Sequence, residues 1–248
     1  MILPLLLVLL LLGVWQAYTE LASVEPLILP SPVEIGRSLW EDRTLLLDNL
    51  GVTATEVGLG VLCALATGVG AAIVLHRVQV LRRATYPLLI GTQAVPVVTL
   101  APLLVFWLGF GLAPKLAIIT LVCFFPVAVT TLDALDRTDP DQLKLMRTLG
   151  ATRRQAFWWA QMPAALPAAL SGARISVAIA VIGAVLAEDS GSNAGLGHLL
   201  RQSTGQLETA RGYAAVVVLA AFAITLFYTL VLVERRLLPW TQRPGGPS

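Results

Sequence analysis

VTATEVGLGVLCALATGVGAAIVL, residues 52–75, carries one charged side chain, Glu56, in 24 positions. Crossing a bilayer takes about 20 mainly apolar residues wound as a helix. Lipid offers the backbone no hydrogen-bond partner, so the segment must satisfy its own amides. Gly58, Gly60, Gly68 and Gly70, with Ala64 and Ala66, give this stretch a small-residue face suited to close helix packing. Five further stretches read as spans: 2–18, 86–110, 116–132, 164–187 and 214–233. The first lacks the basic leader and small-x-small cleavage site of a signal peptide, so it reads as a retained span. The expected fold is an all-α integral membrane protein of six transmembrane helices, one membrane domain over residues 1–248.

The composition agrees. The 248 residues are 56% hydrophobic and 13% charged, with a mean hydropathy of +0.79, against about 25% charged in a soluble domain. A net charge of +2, dispersed along the chain, does not describe a nucleic-acid footprint. Cys63 and Cys123 both fall in apolar runs, so neither a disulfide framework nor a metal site is expected. With the N-terminus inside, the inner loops hold Arg77, Arg82, Arg83, Arg137, Lys144, Arg147, Arg153, Arg154, Arg174, Arg235, Arg236 and Arg243. Only Arg37, Arg43, Lys115, Arg201 and Arg211 then lie outside. Retention of basic loops on the inner side favours this orientation, with both termini cytoplasmic.

No energy source is visible. Neither lysine follows a glycine, so no GxxxxGK[ST] phosphate loop exists and no ATP hydrolysis is expected of this chain. HExxH and GxSxG are absent too, which disfavours an intramembrane protease; no catalytic residue is expected, and no cofactor. The span interiors lack carboxylates apart from Glu56 near one helix end and Glu188 at another. Ion-coupled carriers usually place ionisable groups near the midplane.

The long inner loop, 133–163, holds the most local detail. Asp139 can cap a helix with Pro140 at its first position and Gln142 at the third, an approximate capping box. Leu145, Met146 and Leu149 follow, and Gly150 ends the helix where a left-handed residue suits glycine. Thr152 can cap a second helix with Gln155, carrying Phe157, Trp158 and Trp159 along the membrane surface towards Pro163. Two readings stand side by side: an interfacial connector, or a docking knob for a cytoplasmic partner. The tail, 242–248, reads as disordered.

The stretch LKLMRTLGATRRQAFWWAQMPAALP, residues 143–167, resembles the cytoplasmic loop of binding-protein-dependent ABC importer permeases. Their pattern is EAA, three residues, Gly, nine residues, Ile-x-Leu-Pro. Gly150 and Pro163 sit at that spacing; Lys144, Leu145 and Met146 replace EAA, and Ala160 and Met162 replace Ile and Leu. LPSPVEIGRSL (29–39), QAVPVVTLAPLLVFWLGFGLAPKLAIITLVCFFPVAVTTLDAL (93–135) and AEDSGSNAGLGHLL (187–200) extend the resemblance over nearly the whole chain. It is greatest to the nitrate, taurine, sulfonate and thiamine-precursor group, with LVCFFPVAVTTLDAL and VIGAVLAEDSGSNAGLG most similar to importers of hydroxymethylpyrimidine-type precursors or riboflavin.

The resemblance implies a type I-like permease: a homodimer with two ATPase subunits that bind ATP and magnesium, and an extracytoplasmic binding protein, in a bacterial inner membrane. It implies a coupling helix between the fourth and fifth spans, contacting the ATPase through Leu145, Met146, Leu149, Gly150 and Ala151, with Arg147 or Arg153 at the rim and Pro163 closing the motif. The implied pathway runs between the two copies along the third to fifth spans. Pro96 and Pro102 would bend the third span, or simply serve packing. Gln93 and Thr99 could line the path or bond neighbouring helices. Glu188 and Asp189 are either solvated helix-end charges or parts of an outer gate. Arg174 is expected to snorkel. A small ion-coupled carrier and a structural membrane protein remain the competing classes.

Overall fold

Small residues let three long helices approach closely, and the other elements are arranged around them. The computed structural model describes residues 2–93 and 95–239; the expected disordered tail, 242–248, and Arg243 lie outside the described residues. In chain order the helices are α1 (Ile2–Leu21), α2 (Pro32–Glu41), α3 (Arg43–Arg77), α4 (Gln79–Thr92), α5 (Val97–Leu108) and α6 (Leu112–Asp136). There follow α7 (Pro140–Thr148), α8 (Arg153–Ala156), a π-helical turn (Phe157–Gln161), α9 (Met162–Gly191), α10 (Leu196–Gly205) and α11 (Thr209–Leu237).

Helix α6 packs between α3 and α9. Gly60, Ala64, Gly68 and Ala72 recur every four residues on the buried face of α3, the spacing that keeps side chains on one helical face. A Cβ at Gly60 would overlap Ile119, and one at Gly68 would lie 2.9 Å from Val127 Cγ1. Gly58 and Gly70 have open space at that position, and Ala66 is exposed, so the small-residue face is narrower than the sequence suggested. On the α9 side, Ser176 Oγ donates to Cys123 O (3.1 Å) and to Gly172 O (2.9 Å), an interhelical bond in a wholly buried position. A Cβ at Gly172 would sit 2.9 Å from Pro126 O and 3.0 Å from Val127 Cα, atoms that cannot step aside. Gly172→Leu is therefore expected to force α6 and α9 apart and to cost about 3 kcal/mol or more. Thermal unfolding of the detergent-purified protein would read this as a lowered midpoint, with Gly70→Leu unchanged as the control.

Among the described residues, four segments are long and apolar enough to cross a membrane: α3, α6, the continuous run Arg153–Gly191, and α11. The expected third span, 86–110, is not one bent helix. It is the pair α4 and α5, whose axes differ by 103°, and counting the pair as one span makes five. The break lies at residues 93–96, where Pro96 holds an extended conformation (φ −66°, ψ 113°) ahead of α5. Proline cannot donate to the preceding turn and disfavours helix in its predecessor. Pro102, by contrast, lies inside an unbroken α5. The expected first span, 2–18, lies within α1, a helix of 20 residues. Its outward leucines, and those of the scarcely buried α11, are a surface that lipid would cover.

The connections are more ordered than their composition implies. Ser31, Pro32 and Glu34 start α2 with a complete capping box: Ser31 N donates to Glu34 Oε2 (2.7 Å) and Glu34 N to Ser31 Oγ (3.3 Å). Helix α2 then lies against α11, where Arg211 bridges to Asp42 at 3.0 Å. Together α2 and α10 cover one end of the bundle; α7 stands at the other.

Candidate functional site

The segment between α6 and α9 is built from local signals. Asp139 Oδ1 accepts from Asp141 N (2.8 Å) and Pro140 occupies the first position of α7. Gln142 makes no return bond, so the expected capping box forms only by half. At the other end Gly150 adopts φ +82°. Gly150 N donates to Arg147 O (3.0 Å) and Ala151 N to Met146 O (2.9 Å), the paired bonds of a Schellman terminus. Thr152 N then donates to Gln155 Oε1 (2.8 Å) and Gln155 N to Thr152 Oγ1 (3.3 Å), a complete box that starts α8.

This knob carries Leu145, Met146, Arg147, Leu149, Gly150, Ala151 and Arg153 within a few turns of one another. Leu145 on α7 is 60% exposed, and Leu149 at its C-terminal cap is 78% exposed. Pro163 is not part of it. The expected second surface helix is instead continuous with the membrane run: α8 passes through the π-helical turn into α9, and Pro163 lies in the first turn of α9. Met162 N reaches back to Phe157 O, so the widened turn accommodates a proline that would break a regular helix.

Side chains of three helices anchor the base of the knob. His76 joins Gln161 and Asp136: its Nε2 lies 3.2 Å from Gln161 Nε2 and its Nδ1 2.8 Å from Asp136 Oδ1. Arg82 Nη1 meets Asp136 Oδ2 at 2.6 Å. Phe157 is buried beneath Arg77, whose guanidinium lies 4.4 Å from the ring centroid. The inner ends of α3, α4, α6 and the start of α9 are thus tied where the knob attaches. Arg174 does not simply snorkel: its Nη1 meets Glu234 Oε2 of α11 at 3.3 Å.

Of the path candidates, Gln93 lines a cavity of about 410 Å³ between the α4–α5 break, α6 and α9. Leu100, Val122, Phe125, Pro126 and Ile179 belong to its apolar wall, and Thr92 also lines it. Thr99 is exposed and spends its hydroxyl on Pro96 O (2.7 Å), and Pro96 and Pro102 are exposed outside that cavity. An amide and a hydroxyl, from Gln93 and Thr92, in a mainly apolar chamber can orient a small ligand but supply no chemistry.

At the opposite end the structure separates Glu188 from Asp189. Asp189 is exposed, 3.9 Å from Arg201 Nε. Glu188 is completely buried, so the solvated reading fails for it. Thr53 Oγ1 donates to Glu188 Oε1 (2.7 Å) and Gly197 N to Oε2 (2.5 Å), while Leu196 N donates to Thr53 Oγ1 (2.9 Å). Beside them Lys115 Nζ pairs with Glu56 Oε1 (2.5 Å) and donates to Ser192 Oγ (2.6 Å). Asn49 Oδ1 accepts from Gly195 N (2.7 Å). This network fastens the turn before α10 to α3, α6 and α9. Thr53, Lys115, Asn49 and Ser192 were not singled out by sequence; the only signal was charge and hydroxyl at the ends of apolar runs. Gly195 has φ +110°, and a Cβ there would overlap the Glu188 carboxylate. Gly195→Ala is expected to expel Glu188 from its donors and lower stability by about 2–4 kcal/mol, read as faster proteolysis of the 192–197 turn and a lower unfolding midpoint.

Comparison with known proteins bears on what such an arrangement serves. Residues 58–242 match the family described as binding-protein-dependent transport system inner membrane component. The chain is 34% identical over 241 residues to the formylaminopyrimidine transport permease protein ThiX of Halalkalibacterium halodurans, covering 97% of this chain and 96% of that one. It is 32% identical over 233 residues to the riboflavin transport system permease protein RibX of Chloroflexus aurantiacus, covering 93% and 87%. Among solved structures, the MetNI methionine ABC transporter in inward-facing conformations superposes with a TM-score of 0.66 at 19% identity, covering 82% of this chain and 99% of that one. The last likeness concerns the fold alone. Family match and full-length relatives together place the chain: it belongs to the binding-protein-dependent transport system inner membrane components, as the permease subunit of an ABC importer whose ATP hydrolysis resides in a separate subunit.

Proposed function

We propose that two copies of this chain form the membrane path for a thiamine precursor of the hydroxymethylpyrimidine type or riboflavin, delivered by an extracytoplasmic binding protein and driven by two ATPase subunits. The observation that carries the docking part is the knob: a helix fixed at both ends, with Leu145 and Leu149 exposed and Met146 half-buried beside them. Burying such a leucine in a partner is worth about 1.5–3 kcal/mol. Leu145, Met146, Leu149, Gly150 and Ala151 form the contact, with Arg147 or Arg153 meeting carboxylates at its edge. The knob is tied at its base to α3, α4 and α9, so closure of the ATPases pulls on the spans as rigid bodies. The basic residues of the inner loops support six crossings with both termini in the cytoplasm, in a bacterial plasma (inner) membrane.

The cargoes in the names of two full-length relatives, formylaminopyrimidine and riboflavin, support a small heteroaromatic cargo. Sulfonate, taurine or nitrate is the second reading, favoured by nothing in the cavity beside Gln93, whose walls are mainly apolar. The test is uptake by proteoliposomes holding this permease, its ATPases and its binding protein. Hydroxymethylpyrimidine or riboflavin should accumulate only with internal ATP and binding protein present. Uptake that persists without ATPase and collapses with an ion gradient would sink the importer mechanism. Preferential thermal stabilisation of the binding protein by taurine would overturn the cargo alone.

A further inference from the structure

We propose that the pocket between the inner end of α3 and the start of α9 binds the phosphate headgroup of an anionic phospholipid. The pocket has a volume of about 740 Å³ and is lined by His76, Arg77, Arg153, Arg154, Phe157, Trp158 and Gln161. No acidic side chain lines it. His76 and Gln161 are bonded to each other, and His76 also holds Asp136, whose other oxygen is taken by Arg82. The carboxylate nearest this cluster is therefore already committed. Among the described residues the guanidinium groups of Arg153 and Arg154 have no hydrogen-bond or ion-pair partner, and that of Arg77 has only the face of Phe157.

Three guanidinium groups in one concavity repel one another and concentrate an anion. Their planar forks match the oxygens of a phosphate. Depth selects the source of that phosphate. Arg77 ends a membrane-spanning helix, and Trp158 and Trp159 of the π-helical turn are 50% and 70% exposed, the placement of rings at the head-group level. Val74, Val78, Val80 and Leu81, around the α3–α4 junction, are exposed apolar side chains on the same side of the bilayer. A cationic, aromatic-walled pocket opening beside an apolar surface suits a head group whose acyl chains stay in lipid. ATPase carboxylates would meet the knob farther out, where Lys144 and Arg147 stand on α7.

Arg153 borders both the pocket and the proposed docking surface, so the test uses Arg77→Gln/Arg154→Gln in the complete permease–ATPase complex. Native mass spectrometry after titration with phosphatidylglycerol or phosphatidylcholine would count bound lipid. Each basic residue near an anionic surface contributes about a fivefold gain, so the double variant should lose about twenty-fivefold in phosphatidylglycerol affinity. Phosphatidylcholine binding should be unchanged, ATPase retention should be unchanged in Arg154→Gln, which takes no part in anchoring the knob, and Lys144→Gln/Arg147→Gln should keep the lipid. If the double variant fails to fold, exposed Arg154→Gln alone should lose about fivefold. Undiminished phosphatidylglycerol binding overturns the proposal. So does displacement of the lipid by millimolar inorganic phosphate, which would mark a soluble-phosphate site. Loss of the ATPases with lipid retained would assign the pocket to the partner subunit instead.

Discussion

Lys115→Met should unfold this protein more readily than any exposed substitution, lowering stability by about 3–5 kcal/mol. The Lys115 and Glu56 side chains are 9% and 4% exposed and meet at 2.5 Å, between α6 and α3. Removing the ammonium leaves a carboxylate in a medium that cannot solvate it, and Glu56 Oε2 already has no partner. It also strips Ser192 of the donor that holds the turn before α10. The loss should appear as a thermal midpoint lowered by roughly 10 °C or more in detergent. Glu56→Gln/Lys115→Met, which removes both charges, should recover at least half of it, because the cost lies in the orphaned charge rather than in the absent pair. A single variant as stable as the parent would show that the pair holds nothing.

That pair also marks where the sequence stops being legible. The spans at 52–75, 116–132, 164–187 and 214–233 are plain in the chain because lipid imposes length and apolarity locally, and each falls within a long helix of the structure. Both ends of α7 and the start of α8 are equally plain, because Asp139, Gly150, Thr152 and Gln155 act on backbone atoms within a few residues. Glu56 and Lys115 are 59 residues apart, and Thr53 and Glu188 are 135 apart. No spacing rule brings such residues together; only the packing of α3, α6 and α9 does. Lys115 therefore read only as an outer basic residue, and Glu188 as either a solvated helix end or part of an outer gate. In 86–110 the bend expected at Pro96 is a break of 103° between α4 and α5; its extent was hidden because hydropathy averaged over the stretch stays apolar. Continuity through Pro163 was hidden because a π-helical turn has no sequence signature comparable to a cap.

Gly150→Pro is expected to reduce ATP-driven uptake by at least tenfold, to near background, while leaving insertion and the spans intact. Proline fixes φ near −65°, and Gly150 requires +82°. The substitution also deletes the Gly150 N–H that closes on Arg147 O. Losing the left-handed terminus redirects the chain between α7 and α8 and moves Leu145 and Leu149 off any surface shaped to receive them. Forfeiting one such leucine contact is worth about 1.5–3 kcal/mol, roughly a ten- to hundredfold weakening of the docked state. The spans are spared because Gly150 is exposed and a Cβ there meets nothing within 4 Å. Gly150→Asn should keep most activity, since asparagine tolerates the left-handed conformation, and Ala151→Glu should fail through a charge placed in the contact. Uptake and ATPase co-purification, measured on the same preparations, decide the matter. If both survive Gly150→Pro and Ala151→Glu, the knob is an interfacial connector and the ATPase docks elsewhere.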